Sequence, residues 1–184
     1  MTYRAPQSDL AFILAHVVPL APVAASERFA EAGTETAEAV LTGAGRVADE
    51  ALAPLRTAGE ARPARLEDGA VVTPPGYDAG YRAMADGGWI AVAAPPAHGG
   101  MGLPRMLATA VNDMFAGACL SLHLNPLLTQ GQIEALDHHG TEAQKALYLP
   151  RLISGDWSGT MNLTEPQAGT DLGALTCRAE PAED

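Results

Sequence analysis

Apolar residues recur at helical spacing through most of this chain, and then the spacing changes. Leu107, Val111, Met114, Phe115 and Ala118 fall at i, i+4, i+7, i+8 and i+11, which draws one apolar stripe along a helix. Pro104 suits the first turn of that helix. Ala37, Val40, Leu41, Ala44, Val47, Ala48, Ala51 and Leu52 give a second stripe, for a helix over 35–55 that ends by Pro54. Shorter helices are predicted over 78–86, stopped by Gly87-Gly88, and over 129–138, closed by Gly140. Thr141 and Gln144 form a T-x-x-Q capping box for another, which Pro150 must break or restart and Gly155 ends. From Trp157 the period becomes two: Trp157, Gly159, Met161 and Leu163 alternate with Ser158, Thr160, Asn162 and Thr164. That pattern predicts a strand with one polar face, and 172–179 a second strand. The expected fold is mainly α, with a β region opening at its end.

The segments between these patterns are connectors. Residues 56–75 are polar and carry Pro63, Pro74 and Pro75, with Ala70 to Thr73 a short extended piece. Residues 95–102 hold three glycines and two prolines, which leaves a loop. Leu10 to Ala25 imitates the apolar core of a secretory signal. Only Arg4 supplies a preceding positive side chain, however, Asp9 abuts the run, and His16, Pro19 and Pro22 interrupt it. It reads instead as a short helix capped by Ser8 or Asp9 and ending near Val18. Gly43-Ala-Gly45-Arg-Val-Ala48 matches the GxGxxA dinucleotide fingerprint. It follows a helical pattern rather than a strand, so its glycines are helix glycines.

Composition narrows the function classes. Among 184 residues, 11 Lys+Arg stand against 22 Asp+Glu, a formal charge of −11. That balance disfavours nucleic acid and anionic membrane surfaces as partners. A hydrophobic fraction of 47% with 18% charged residues suffices for a core and is unlike a disordered chain. No stretch reaches the roughly 18 continuous apolar residues of a membrane span. Cys119 and Cys177 stand outside any CxxC or Cys/His cluster, so they read as two buried reduced thiols of a cytoplasmic protein.

The polar strand face and the loop after it carry the chemistry. Met161 to Asp171 offers backbone N–H groups, the Thr164 and Thr170 hydroxyls, and Gly169, which permits close backbone approach. Such parts can hold the polar edge of a flat heteroaromatic ring, or a phosphate. From the residues alone, an ordinary strand-to-loop junction capped by Asp171 is the better reading.

Leu163-Thr-Glu-Pro-Gln-Ala-Gly-Thr-Asp171, however, resembles the LTEPxAGSD signature of the acyl-CoA dehydrogenase family. Tyr148-Leu-Pro-Arg-Leu-Ile-Ser-Gly-Asp-Trp157 resembles the approach to that signature, and Trp89 to Leu103 its P-x-x-y-G-G-x-G-L segment. The three stand in the family's order over about the second half of the chain. Tyr3 to Pro6, Val72 to Tyr77 and the Gly-Thr-Met161 lead-in are similar to the subgroup of methylthiopropanoyl-CoA dehydrogenases.

The resemblance implies a fold of three parts: an N-terminal helical domain, a middle β domain and a C-terminal four-helix domain, with FAD and an acyl-CoA thioester between them. Residues 1–155 would be the helical domain, with 1–34 an N-terminal extension, and 156–184 the truncated start of the β domain. A glutamate base removes the substrate's α-proton, the β-hydrogen passes as hydride to the flavin, and an electron-transfer flavoprotein takes the electrons. Met161, Leu163 and Thr164 would lie along the flavin ring, with the Thr164 hydroxyl on its polar edge. Gly169 and Thr170 would lie near the flavin and the acyl-CoA, Thr170 replacing the family's usual Ser with an added methyl. The full-length protein would be a homo-oligomer. The catalytic base would lie beyond Asp184, so no catalytic residue is expected here and the chain by itself is expected to be inactive. An acyl-CoA oxidase or related flavoenzyme on the same scaffold, or a non-catalytic helical interaction module, are the alternatives.

The other polar residues read as structural. Glu165 lies inside the signature, yet a carboxylate between Thr and Pro suits the turn better than acid/base work. His138 and His139 are adjacent, so on a helix they diverge by about 100° and do not share a metal. His98 and His123 lack partners at ligand spacing, and no metal site is expected. Trp157 reads as a core anchor, and Lys145 and Arg151 as a solvated helix face.

Overall fold

The computed structural model describes residues 3–182. Its first helix, α1 (Gln7–Phe12), follows Pro6 directly and runs on as a π-helical turn, Ile13–Val17. It ends near Val18 as the sequence implies, but neither Ser8 nor Asp9 caps it. A short α2 (Ala21–Ala24) leads to α3 (Thr34–Val47), which buries Ala37, Val40, Leu41 and Ala44. The predicted stop at Pro54 does not occur. A π-helical turn, Ala48–Leu52, loosens the ladder, and Pro54 falls in the first turn of α4 (Ala53–Ala61). There the proline ring falls at the junction with the widened π-helical turn.

The connector after α4 holds a hairpin, β1 (Arg65–Glu67) against antiparallel β2 (Ala70–Val72), with Leu66 opposite Val71. Asp68 and Gly69 both take positive φ, 49° and 79°, the mirror-image turn that Asp-Gly favours. Then come α5 (Tyr77–Asp86), stopped at the glycine pair as expected, and a 3-10 turn over Trp89–Ala91. The glycine-rich loop folds back on that turn. Met101 N–H donates to the Ala91 carbonyl at 3.1 Å and Leu103 N–H to Val92 at 2.9 Å. Gly99 and Gly102 at φ 96° and 66° make this reversal possible.

Two predicted helices prove to be halves of one element, α6 (Arg105–His139), broken at Cys119, whose φ and ψ are −154° and 83°. Leu107, Val111, Met114, Phe115 and Ala118 are all fully buried against α3, α5 and the Trp89 turn. Trp89 meets Phe115 edge-on at 6.4 Å. Burying each such large side chain contributes about 1.5–3 kcal/mol, so this stripe organises the fold. By length and composition α6 could cross a membrane, but 56% of its apolar window is buried inside the fold.

The last helix, α7 (Glu142–Ile153), has the predicted capping box in full. Thr141 Oγ1 accepts from the Gln144 N–H at 3.3 Å, and Gln144 Oε1 accepts from the Thr141 N–H at 2.8 Å. Pro150 neither breaks nor restarts α7. Leu149, Leu152 and Ile153 pack with Ala91, Ala94 and Ile133 in a second small core, which holds the last turn despite the lost hydrogen bond.

The period-two segment forms no strand. Residues 158–164 carry no regular element, and the second predicted strand is a 3-10 turn, Leu172–Ala174, followed by irregular chain. A strand is satisfied only by a neighbouring ladder, and none forms beside this segment among the described residues. Cys119 is buried as expected, whereas Cys177, on this irregular chain, is exposed.

Candidate functional site

The signature is a small self-contained turn at the surface. Glu165 and Ala168 exchange both backbone hydrogen bonds, each at 3.0 Å, and Ala168 is buried. The Glu165 carboxylate gathers the chain that returns past it. It accepts from the Cys177 N–H at 2.8 Å, from the Thr176 N–H and hydroxyl at 3.0 Å each, and from Gln167 Nε2. The Thr176 and Cys177 amides hold its carboxyl below the usual carboxylate range. Glu165 is therefore a ring-closing acceptor, as its place between Thr and Pro implies. Asp171 caps the next turn, its Oδ1 accepting from Gly173 N–H at 3.1 Å.

The residues singled out for the flavin lie on this surface. Met161, Leu163 and Thr164 are exposed on the run before the turn, and Gly169 and Thr170 are exposed on the turn itself. The structure brings them into one stretch of chain but encloses them in no cavity. Apolar Met161, Leu163 and Leu172 stand out of the protein at 61%, 37% and 51% exposure, with threonine hydroxyls between them. A Cβ built on Gly169 would meet nothing within 4 Å, so that glycine leaves an open approach. Exposed apolar groups mixed with hydroxyls fit one face of a flat polar-edged ring and do not surround it. Trp157 is part of the same surface and not a core anchor. It is 41% exposed, with Arg151 stacked over its ring at 5.0 Å and Tyr148 beside it at 6.1 Å. Arg151 therefore covers an indole, whereas Lys145 pairs with Glu142 at 3.1 Å.

Among the clefts that lie elsewhere are two that do not touch the signature. One, of about 330 Å³, sits between the glycine-rich loop and the last turns of α6. Ile90, Pro96 and Ile133 line it together with Arg28, an Arg105–Glu134 ion pair, Asp137 and His138. The other, of about 700 Å³, is an apolar groove between the N-terminal segment and α3. No group of three metal-ligating side chains forms among the described residues. His138 and His139 are exposed, with ring centroids 6.2 Å apart.

Three features escaped the reading of the sequence. The helix glycines of the GxGxxA match are packing glycines: Cβ atoms there would meet the Trp89 ring at 3.0 Å and the Gln7 side chain at 2.2 Å. His123 is buried at 2% exposure, edge-on to Phe115 at 6.0 Å, and neither ring nitrogen has a hydrogen-bond partner. Burial pushes its pKa down to about 4. The spacing of the Leu107–Ala118 stripe continues to Leu122 and not to His123, and α6 is broken at Cys119, so no local pattern signalled this burial. Thr129, also fully buried, accepts a hydrogen bond from Gly159 N–H at 3.0 Å and so ties the run before the signature to α6.

Comparison with known proteins agrees with this architecture. Residues 34–156 match the model of the acyl-CoA dehydrogenase N-terminal domain. A 3-methylmercaptopropionyl-CoA dehydrogenase of Ruegeria pomeroyi is 46% identical over 184 residues, which is 100% of this chain and 31% of that protein. The broad-specificity linear acyl-CoA dehydrogenase FadE5 of Mycobacterium tuberculosis is 29% identical over 99% of the chain and 30% of its own length. A butyryl-CoA dehydrogenase of Syntrophomonas wolfei is 31% identical over 62% of the chain and 18% of its own length. The chain thus spans less than a third of the length of each of these relatives. With its helical core, its capped α7 and its exposed signature turn, it belongs to the acyl-CoA dehydrogenase family.

Proposed function

We propose that this chain forms the helical part of a cytoplasmic, FAD-dependent acyl-CoA dehydrogenase. Met161, Leu163, Thr164, Gly169 and Thr170 would form one wall of its flavin site, with Thr170 also near the acyl-CoA. The observation that carries the reading is the exposed signature turn, standing in a chain matched from end to end by a 3-methylmercaptopropionyl-CoA dehydrogenase. That relative's name points to a short thioether-substituted acyl-CoA as the substrate class. When bound, the flavin supplies the hydride acceptor. The chain's own residues would orient the ring: Met161 and Leu163 exclude water from one face, and the Thr164 hydroxyl bonds a polar edge. Glu165 does not act as the base, because its oxygens are taken up by Thr176 and Cys177. An electron-transfer flavoprotein would take the electrons, and the exposed apolar surface suits assembly with further polypeptide, including other copies of the protein.

The protein purified from its own gene, loaded with FAD and mixed anaerobically with 3-methylthiopropanoyl-CoA, should lose its oxidised-flavin absorbance. Reoxidation by an electron-transfer flavoprotein and not by oxygen supports a dehydrogenase, whereas rapid oxygen consumption would make it an oxidase. An unchanged flavin spectrum with every acyl-CoA thioester tried would refute the reading. The 184-residue chain alone, given FAD and thioester, should leave the flavin oxidised; turnover by it would refute the proposal that this chain by itself is inactive.

A further inference from the structure

We infer that Thr129 is a positioning residue for the flavin-facing run, a role that rests on the reading of Met161 to Thr170 just given. Thr129 lies in the second half of α6 and is fully buried. Its hydroxyl donates to the Asn125 carbonyl at 3.2 Å, the back-bond a helical threonine makes to the preceding turn. With the hydrogen directed inward, a lone pair is left to accept from the Gly159 N–H at 3.0 Å. Gly159 sits hard against the same helix. A Cβ there would stand 2.1 Å from Gln132 Oε1, so only a glycine brings the backbone this close without moving that side chain.

The consequence lies just downstream. Met161, Leu163 and Thr164 follow Gly159 directly and are exposed. At the far end of the run, Glu165 is fixed by the Thr176 and Cys177 amides. The run is therefore suspended between two fixed points, one on α6 and one on the signature turn. The run is only a few residues long at no more than about 3.3–3.6 Å each, so the place of Gly159 bounds where Met161 can stand. Thr129 touches neither flavin nor substrate in this scheme. It sets where the run stands.

Thr129→Val keeps the shape and removes the acceptor, and Thr129→Ser restores it. Both belong in the flavin-binding protein, read by amide hydrogen exchange at Gly159 and by retained flavin absorbance on dilution. The Val variant should exchange Gly159 faster and bind FAD about tenfold more weakly, the cost of one buried N–H left without a partner. The Ser variant should return both readouts to the parent values. If Thr129→Val does not fold, Gly159→Ala poses the same question from outside the helix, and weakened flavin retention is again expected. Faster exchange at Gly159 with unchanged flavin affinity would overturn the positioning role and leave the flavin reading intact. A parent protein that binds no flavin at all would overturn the flavin reading, and the role of Thr129 with it.

Discussion

The first half of α6 and the run after Trp157 are both strongly patterned in sequence, yet only the first pattern becomes an element. The α6 stripe closes its own hydrogen bonds within the helix and buries Leu107, Val111, Met114 and Phe115 against neighbours already present. The run's period-two pattern asks for a strand on each side, and the described residues supply none. Helical patterns are satisfied locally, whereas strand patterns are promissory until a partner arrives. The same contrast separates stability from the proposed function: the helices hold the molecule together, and the exposed run carries the groups proposed to face a ligand.

The largest expected effect tests that division directly. Phe115→Ala should lose about 3–5 kcal/mol of unfolding free energy, because the ring is buried against Trp89 and His123. Met161→Ala, on the exposed run, should change stability by less than about 0.5 kcal/mol. Urea unfolding of both variants gives the comparison, and similar losses would break it.

His123 sharpens the contrast through pH. Its pKa falls from 6.5 when unfolded to about 4 in the fold, so below 6.5 the unfolded chain binds the proton that the folded one refuses. Stability is therefore full above pH 6.5, declines as pH falls, and levels off near 4. The total loss is on the order of 3 kcal/mol at 1.36 kcal/mol per unit. His123→Leu should flatten this part of the pH–stability curve, since it removes the group whose proton binding differs between the folded and unfolded chain. An unchanged acid slope in that variant would assign the loss to other groups.

Smaller effects belong to the periphery. Thr141→Ala removes the capping box of α7 and should cost about 1 kcal/mol by thermal denaturation. Glu165→Ala should leave the melting temperature within about a degree while freeing the Thr176 and Cys177 amides to exchange. The native carboxylate's lowered pKa gives the same result by titration. Its hold on those amides is present above the ordinary carboxylate range and is lost as pH falls through the folded value.

These residues also show how much the sequence could disclose. The α6 stripe, the stop at Gly87-Gly88 and the Thr141–Gln144 box were legible because each rests on spacing within one element. The stop expected at Pro54 and the break expected at Pro150 failed for different reasons: a π-helical turn precedes one, and a small core holds the helix end around the other. The exposed position of Trp157 depends on what does not pack against it, which no local pattern records. For the candidate site, the signature and its lead-in supplied every residue proposed for the flavin, and the place of Glu165 between Thr and Pro gave its structural role. Thr129 stayed hidden because its partner, Gly159, is 30 residues away and the link is a single backbone N–H.

The most direct measurement is residue-resolved amide hydrogen exchange on the 184-residue chain without ligand. Three tiers are expected. The α6 amides from 107 to 118 should be protected most, Gly159, Glu165, Thr176 and Cys177 should show intermediate protection, and Thr160 to Thr164 should exchange close to the rate of an unstructured peptide. Protection of Asn162 to Thr164 equal to that of α6 would contradict the division between a self-sufficient helical core and an open run.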